Sequence, residues 1–549
     1  MPEAKTKTLS EMAKHTMSDA QTKTMDASAQ ADGPGLSKII GKYDPTIFFI
    51  TAAVTLLAVI YGIVDPVNFD GLLSAIQSWI TSRFSWFFII SVAIYLGVVI
   101  YIAFSKYGNM KLGKETDKPE FSYFAWIAML FSCGVGVGYA FWAVGEPIMH
   151  YMNTPYLAES ATPAARPIAI QIGVMHWGIH AWGIFALVGL AIAFPAYRLG
   201  KPMNVSISLY GLFGDKISQN ALGKVIEILA AFATIAGVST ALGLGIISTN
   251  AGIEHLYGKP LGTFGQLTFL AILIALYVLS AVSGIKKGIK NLSTINVGIA
   301  FCWGAFILFS GPTRELLELM VQTIGSYINN FVFATFWTDA NNVKGQWLDW
   351  WTVFYWIWWI SWGPFCGGFV ARISKGRTIR EFILGVCVVP TLVALVWFSI
   401  VGGAAQSVQI AHIADIAAAL KADMGSGIYV LLSTFPWGDF VGAIVFLNLV
   451  IFLITSADSA SFFVAMQMSG GKTEPSTPMK LIWGIFIGSL AFVLLASGGL
   501  KALQKVSIIA GTPFAIVTFM MAASLIKMLK RSYKAEHPVI QPNKKKPSK

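Results

Sequence analysis

The chain has 549 residues, of which 55% are hydrophobic and only 12% charged, with a mean hydropathy of +0.66 and a net charge of +12. This composition leaves too much apolar surface for one water-soluble core, so a soluble globular enzyme is excluded and a membrane protein is predicted. The positive charge requires no nucleic acid, because basic residues also mark the cytoplasmic side of membrane proteins.

Residues 1–45 differ from everything that follows. They are rich in Thr, Ala, Ser and Lys and contain no long apolar stretch. Because such a segment cannot form a buried core, we expect a disordered cytosolic tail. No cleaved signal peptide is predicted, since the start of the chain carries no short apolar core with a small-residue cleavage site.

Apolar stretches of about 20 residues, the length that crosses a bilayer core, recur along the rest of the chain. They begin near Thr46, Phe84, Phe121, Ile168, Leu222, Gly262, Thr294, Trp350, Thr378, Pro436, Pro478 and Val506. The sequence therefore predicts an all-α polytopic membrane protein with twelve transmembrane helices. Residues 46–105 hold two N-terminal helices, 313–349 an outer loop with an amphipathic helix, and 528–549 a short basic cytosolic tail.

The basic residues predict how these helices are oriented. Roughly four-fifths of the 39 Lys and Arg residues lie in alternate connections, beginning with the N-terminal segment. Since positive residues near helix ends stay in the cytoplasm, we predict a multi-pass protein of the plasma (inner) membrane with both termini cytoplasmic. The inner face would then contact anionic lipid headgroups. The basic connector Gly284–Ser293 fits either a short helix along that face or a loop.

The third predicted span contains glycines at alternate positions, Gly134, Gly136 and Gly138. Small residues often serve close helix packing in membranes, but a spacing of two does not keep them on one helical face. Local unwinding in mid-membrane is the competing explanation.

The eighth predicted span has Gly363 followed by Pro364, which removes a backbone donor and breaks or kinks a helix. Two interrupted helices five spans apart are expected if residues 121–312 and 350–527 form inverted five-helix repeats, spans 3–7 and 8–12. Unwound backbone at bilayer depth is tolerated only inside protein or around a cavity. That cavity is the predicted substrate site.

Tryptophans crowd the same region. Trp177 and Trp182 lie in the fourth span, and four more, Trp356, Trp358, Trp359 and Trp362, lie within seven positions beside Gly363. Packing or lipid contact explains a single tryptophan, whereas this cluster favours a binding site. A quaternary ammonium group cannot donate a hydrogen bond, so proteins hold it by aromatic faces, at roughly 0.5 to 2 kcal/mol per contact. The scarcity of carboxylates nearby favours a zwitterion over a bare cation.

The ionisable residues near the spans are few. Glu146 and Asp439 are expected at the membrane surface, because each lies at a predicted helix end. His176 and His180 share one helical face, where a proton relay and satisfied polar packing both remain open.

Several segments together resemble the betaine/carnitine/choline transporter family, from about Tyr43 to Met528. The most specific is WTVFYWIWWISWGPFCGGFVARISKGRTIREF in the eighth span. The resemblance is supported by four shorter segments, CGVGVG, HWGIHAW, GIKKGIKNLS and TSADSAS. The resemblance implies a secondary transporter with an inverted-repeat fold, two extra N-terminal helices and a homotrimeric assembly.

The resemblance also implies an aromatic box for a trimethylammonium group. It corresponds to Trp177, Trp182, Phe185 and Trp359, with Trp358 and Trp362 along the pathway. Betaine carriers of this type have a tyrosine at the position of Phe185, and choline-selective members often have an aspartate at that of Gly138. The absence of that aspartate favours glycine betaine, with dimethylsulfoniopropionate and carnitine as close alternatives and choline less favoured.

Sodium is the coupling ion that the resemblance implies, with no organic cofactor. One site would use backbone carbonyls at Ser132, Val135 and Phe452 and the hydroxyls of Thr455 and Ser456, unless these hydroxyls bond back to their own helix. A weaker second site would use Thr234 and Phe365. Because Val238 replaces its second threonine, one sodium per cycle is expected, while proton coupling stays open. A channel is the rival function.

Overall fold

The computed structural model describes residues 36–134, 136–282, 286–472 and 474–537, and its regular structure is helical, which confirms the all-α prediction. Most of both predicted tails lies outside the described residues. The helices of twelve or more residues are α1 Pro45–Val64, α2 Pro66–Phe104, α3 Tyr123–Gly134, α4 Gly138–Met152, α5 Ala165–Trp177, α6 Ile179–Ala193, α7 Ala221–Tyr257, α8 Thr263–Val282, α9 Lys286–Ser310, α10 Thr313–Phe336, α11 Phe354–Ile373, α12 Ile379–Trp397, α13 Gly438–Met468 and α14 Thr477–Glu536.

Local capping explains where several helices begin. The Asp44 side chain accepts hydrogen bonds from the backbone N–H groups of Thr46 and Ile47, and Pro45 occupies the first helical position of α1. Thr378 and Glu381 form a capping box at the start of α12. Both starts lie within one residue of the sequence prediction.

Seven helical segments of the described chain are long and apolar enough to cross a bilayer. The pair formed by residues 294–310 and α10 would be an eighth, bent by 111°. α14 has 60 residues and would extend about 90 Å, three times a bilayer core, but non-helical backbone at Gly498 and Gly499 divides it. Several apolar helices are therefore present, and the count of twelve remains a prediction.

The third predicted span is interrupted as expected. α3 ends at Gly134 and α4 begins at Gly138, with Gly136 between them at a φ of +31°. Glycine adopts this left-handed backbone without the steric cost that a side chain would add. Val135 lies outside the described residues.

The predicted break at Gly363 and Pro364 is wrong, because α11 runs through both residues as one helix. A β-carbon at Gly367 would lie 2.7 Å from Cγ1 of Val188, so Gly367 serves close packing of α11 against α6. Neighbouring helices cover the backbone that the proline leaves unpaired, which makes a proline tolerable in a buried helix.

Two interruptions that the sequence did not predict lie nearby. Gly178, with φ −97° and ψ −136°, separates α5 from α6 in the middle of the fourth span. A π-helical turn, Phe398–Gly402, follows α12. Both bring irregular backbone to the region around α4 and α11.

Burial places the α5–α6 pair at the centre of the molecule. Within Ala165–Arg198, 89% of the most apolar window is buried, against 33% in α1. α11 packs against α6, α7 and α14. The peripheral helices expose large apolar side chains such as Leu57, Val64 and Phe104, which suit contact with lipid rather than water.

Two predicted connections have definite conformations. The amphipathic segment that was predicted in an outer loop contains α10. In the basic connector, residues 284 and 285 lie outside the described residues, and the backbone from Lys286 onward already belongs to α9.

Candidate functional site

A narrow cavity lies where the interruption before α4 meets α5, α7, α11 and α13. It is lined by indole rings, aliphatic side chains and the glycine-rich backbone of the interruption. The lining residues are Gly136, Val137, Gly138, Trp177, Val238, Ala241, Leu242, Leu244, Trp358, Trp359, Trp362, Leu453 and Ser456. The structure thus brings together residues that lie far apart in the sequence.

Four indole rings form the aromatic side of this cavity, and each is at most 6% exposed. Trp358 and Trp359 are stacked with ring centroids 4.6 Å apart. Trp177 meets Trp359 edge-on at 4.9 Å, and Trp362 does so at 6.3 Å. Rings at right angles present both faces and edges to the same space, which suits the recognition of an onium group.

Backbone carbonyls fix two of these rings. The Trp359 Nε1–H donates to the carbonyl oxygen of His176 at 2.7 Å, beside the interruption at Gly178. The Trp358 Nε1–H donates to the carbonyl of Gly237 in α7 at 3.2 Å. The rings therefore keep their orientation without any contribution from a ligand.

The other two rings differ in their hydrogen bonds. The Trp177 Nε1–H donates to Oε1 of Glu146 at 2.7 Å. The Trp362 Nε1–H is buried and has no partner among the described residues. Since Trp362 lines the cavity, its N–H is available to a ligand.

Trp182 and Phe185 lie next to these rings without lining the cavity. Phe185 meets Trp359 edge-on at 6.0 Å and Trp182 at 5.6 Å. They extend the aromatic cluster behind Trp359. A tyrosine at residue 185 would add a hydroxyl on that side.

The glycines of the interruption allow Trp177 and Ser456 to approach the backbone. A β-carbon at Gly138 would overlap the six-membered ring of Trp177. A β-carbon at Gly136 would lie 3.6 Å from the Ser456 hydroxyl. The interruption and α13 therefore meet at Ser456.

This meeting point is where the resemblance predicted a sodium site. Phe452 is buried, and the Thr455 hydroxyl donates to the carbonyl of Ile451 at 3.0 Å within its own helix. The carbonyl and side chain of Val135 lie outside the described residues, as does the side chain of Ser132. The described part of the predicted site consists of the backbone of Ser132 in α3 together with Phe452, Thr455 and Ser456.

The residues of the weaker, second predicted sodium site lie at the contact between α7 and α11. Thr234 is buried and its hydroxyl donates to the carbonyl of Ala230 at 2.8 Å. Phe365 packs against Trp362 at 5.8 Å. Val238, which stands in place of a second threonine, lines the aromatic cavity.

Glu146, which was expected at the membrane surface, is enclosed within the protein. Its carboxylate is fully buried and contacts His150 Nε2 at 3.1 Å and His176 Nδ1 at 2.6 Å, besides Trp177. Sequence reasoning missed this group because two of its partners, His176 and Trp177, lie in another helix. The spacing of four between Glu146 and His150, on one helical face, was the available signal.

Comparison with known proteins adds an independent finding. Residues 46–534 match the model of the betaine/carnitine/choline family of transporters. A glycine betaine transporter, OpuD, of Bacillus subtilis is 40% identical over 89% of this chain and 95% of its own length. A probable glycine betaine transporter of Desulfitobacterium hafniense is 39% identical over 91% and 99%. An ectoine/hydroxyectoine transporter of Virgibacillus pantothenticus is 35% identical over 89% and 97%.

Proposed function

The chain belongs to the betaine/carnitine/choline family of transporters, a multi-pass membrane protein by its family and its apolar helices, and we propose that it imports a quaternary-ammonium or sulfonium zwitterion of the glycine betaine type. Import proceeds by alternating access and is driven by a sodium gradient. The observation that carries the substrate class is the wall of four buried indole rings around one cavity.

The remaining lining favours a zwitterion. None of the described residues that line the cavity is Asp, Glu, Lys or Arg, so a bare cation would find no counter-charge there. A carboxylate, by contrast, has two partners within the same lining. The amino end of α4 is not capped by a side chain and carries a partial positive charge, and the Trp362 N–H lacks a partner among the described residues.

These features orient a small zwitterion in one way. The onium group occupies the space between Trp177, Trp358 and Trp359, where each face contributes roughly 0.5 to 2 kcal/mol. The carboxylate points towards Gly138 and Trp362. Dimethylsulfoniopropionate and carnitine share both groups and are the close alternatives. Choline lacks the carboxylate and is the weaker candidate.

The mechanism rests on twelve spans arranged as two inverted repeats of five helices, spans 3–7 and 8–12, after two N-terminal helices. Both termini are cytoplasmic, and the basic end of α14 contacts anionic headgroups of the inner membrane leaflet. Three such chains form the assembly. Rocking of one repeat against the other exposes the cavity to each side in turn, and the interruption at Gly136 supplies backbone that can change conformation.

A channel is the rival from another class. A channel needs a continuous polar pore, whereas the lining here is aromatic and aliphatic. Unitary currents above about a million ions per second would decide for a channel, because a carrier changes conformation in every cycle on slower timescales.

Uptake by the purified protein in liposomes tests the proposal. Saturable uptake of labelled glycine betaine is expected with an inward sodium gradient, and little uptake with potassium in its place. Dimethylsulfoniopropionate, carnitine, choline and ectoine serve as competitors, and protein-free liposomes as the blank. Absence of saturable uptake for every zwitterion in this panel would contradict the proposal. Uptake that follows an imposed pH gradient and ignores sodium would replace sodium by protons as the driving ion.

The sodium dependence of uptake should respond to Ser456. Replacing Ser456 by alanine removes a hydroxyl that faces the interruption, and we expect the sodium concentration for half-maximal uptake to rise about tenfold, equivalent to roughly 1.4 kcal/mol. Ser459→Ala is the matched control in the same helix, because the Ser459 hydroxyl is bonded to the carbonyl of Thr455. Equal sodium dependence of both variants and the wild type would contradict a sodium site at this position.

A further inference from the structure

Glu146, His150 and His176 form a buried cluster that the transport proposal does not use. All three side chains are 0% exposed. Oε2 of Glu146 contacts His176 Nδ1 at 2.6 Å and His150 Nε2 at 3.1 Å, while Oε1 accepts the Trp177 N–H at 2.7 Å. One carboxylate thus contacts three nitrogen atoms from α4 and α5.

The charges of this cluster balance only when it holds an extra proton. The ion-pair partners of Glu146 in the described part of the chain are the two histidines. With both histidines neutral, the cluster would carry one uncompensated negative charge away from water, which is costly. One additional proton, shared between the carboxylate and an imidazole, makes the cluster neutral.

The distances fit a shared proton and not a metal ion. A tetrahedral zinc ion with ligand bonds of about 2.0 Å holds its donor atoms roughly 3.3 Å apart. The 2.6 Å between Glu146 Oε2 and His176 Nδ1 is the length of a charge-assisted hydrogen bond. The outer nitrogen of His176, Nε2, pairs with the Thr352 hydroxyl at 3.0 Å.

One ring nitrogen of the cluster has no hydrogen-bond partner among the described residues. Tyr355 stacks on His176, with centroids 4.5 Å apart, and His180 pairs with the Thr335 hydroxyl at 2.8 Å. These are the neighbouring titratable groups, besides the cluster itself, among the described residues with contacts to it. His150 Nδ1 is buried without a partner, and the ring of His150 lies against Trp351 at 4.4 Å and Trp347 at 5.2 Å.

The cluster is joined directly to two rings of the cavity. The Glu146 carboxylate accepts a hydrogen bond from the indole N–H of Trp177, and the backbone carbonyl of His176 accepts one from the indole N–H of Trp359. Gly178, which interrupts the fourth span, follows two residues later. A change in the hydrogen bonds of Glu146 therefore acts directly on Trp177, and on Trp359 through the contact between the two rings.

We propose that Glu146, His150 and His176 form a proton-binding site that takes up one proton when the tryptophan cavity closes around substrate. In the open conformation water solvates the Glu146 carboxylate, and the proton leaves. In the closed conformation water is excluded and the proton is bound. The inference rests on the proposed transport function, because substrate binding is what closes the cavity.

Proton uptake on substrate binding is the direct test. Glycine betaine is mixed with the detergent-solubilised transporter at saturating sodium, in weakly buffered solution with a pH indicator. We expect about one proton taken up per bound substrate. The apparent Kd should rise with pH, approaching tenfold per pH unit where the open form is deprotonated, since the closed form binds one more proton. Substrate binding without proton uptake, at a Kd independent of pH, would overturn the proposal.

Two substitutions locate the proton. Glu146→Gln retains an acceptor for the Trp177 N–H but cannot exchange a proton, so uptake should vanish and the Kd should become independent of pH. His150→Gln keeps a nitrogen donor near the carboxylate and should reduce uptake by at least half. Glu227→Gln is the control, because Glu227 is also buried but accepts the backbone N–H of Ser206, away from the cavity. Full uptake in both cluster variants would place the proton elsewhere and overturn the assignment.

The failure of this inference is distinguishable from a failure of the transport function. If calorimetry detects no binding of glycine betaine or another zwitterion to the wild type, the proposed function fails. If binding is normal and no proton is exchanged, only the proton site fails. The wild-type measurement stands even if a variant does not fold.

Discussion

Replacing Trp359 by alanine is expected to abolish saturable uptake of glycine betaine, with a loss of affinity of at least a hundredfold. Trp359 stacks on Trp358 and meets Trp177 and Trp362 edge-on, so it contacts all three other rings, and it lies closer to Trp177 than Trp358 does. Its removal deletes one cation–π face, worth roughly 0.5 to 2 kcal/mol, and leaves the rings beside it without support. It also leaves the carbonyl of His176 unpaired, at about 1 to 3 kcal/mol.

The matched variant is Trp359→Phe, which keeps an aromatic face and loses the N–H donor. We expect it to bind glycine betaine about tenfold more weakly than the wild type while still transporting. Affinity is measured by calorimetry and uptake in liposomes, and thermal unfolding and gel filtration verify that both variants fold. An alanine variant with wild-type affinity would show that the substrate does not occupy this cavity.

Most helix starts were predictable from the sequence, because a bilayer requires about 20 apolar residues whatever their partners are. The stretch predicted from Phe84 is an exception, since it lies inside α2, which begins at Pro66. α1 and α12 begin within one residue of the predicted starts, since Asp44 and Thr378 are local caps. The interruption at Gly136 was also predictable, as glycines at a spacing of two cannot serve one packed face. Local chemistry decides all of these features.

The break predicted in α11 failed for a reason that lies outside the local sequence. Gly367 meets Val188, so its lack of a side chain is used for packing, and neighbouring helices shield the backbone near Pro364. The interruption at Gly178 was missed because one glycine in an apolar helix has no specific pattern. Tertiary contacts therefore determine both the continuity of α11 and the interruption at Gly178.

The candidate site was also predictable only in part, where local sequence rather than tertiary contacts determines it. Clustered tryptophans in α11 predicted a cavity wall, and Trp358, Trp359 and Trp362 do line it. Their orientation depends on carbonyls of α5 and α7, which no spacing within α11 reveals. The burial of Glu146 was not predicted, because its partner His176 is 30 residues away in the chain.

Replacing Gly138 by alanine is expected to reduce the affinity for glycine betaine at least tenfold and to slow uptake in proportion. The added methyl group would occupy the space of the Trp177 ring. Trp177 cannot move without breaking its hydrogen bond to Glu146, which is itself held by two histidines. The ring must therefore leave the position in which it faces Trp359, and one wall of the cavity is lost.

Gly145→Ala is the matched control, because it makes the same substitution in the same helix, α4, where a β-carbon would lie 3.5 Å from its nearest neighbour, Met424 Sδ. That separation is an ordinary van der Waals contact, so affinity and uptake should stay within twofold of the wild type. Calorimetry and uptake in liposomes compare the two variants directly. If alanine at both positions has the same small effect, Trp177 does not need its observed position to bind substrate. If both variants lose affinity equally, α4 tolerates no added methyl group and the effect at Gly138 is not specific to the Trp177 ring.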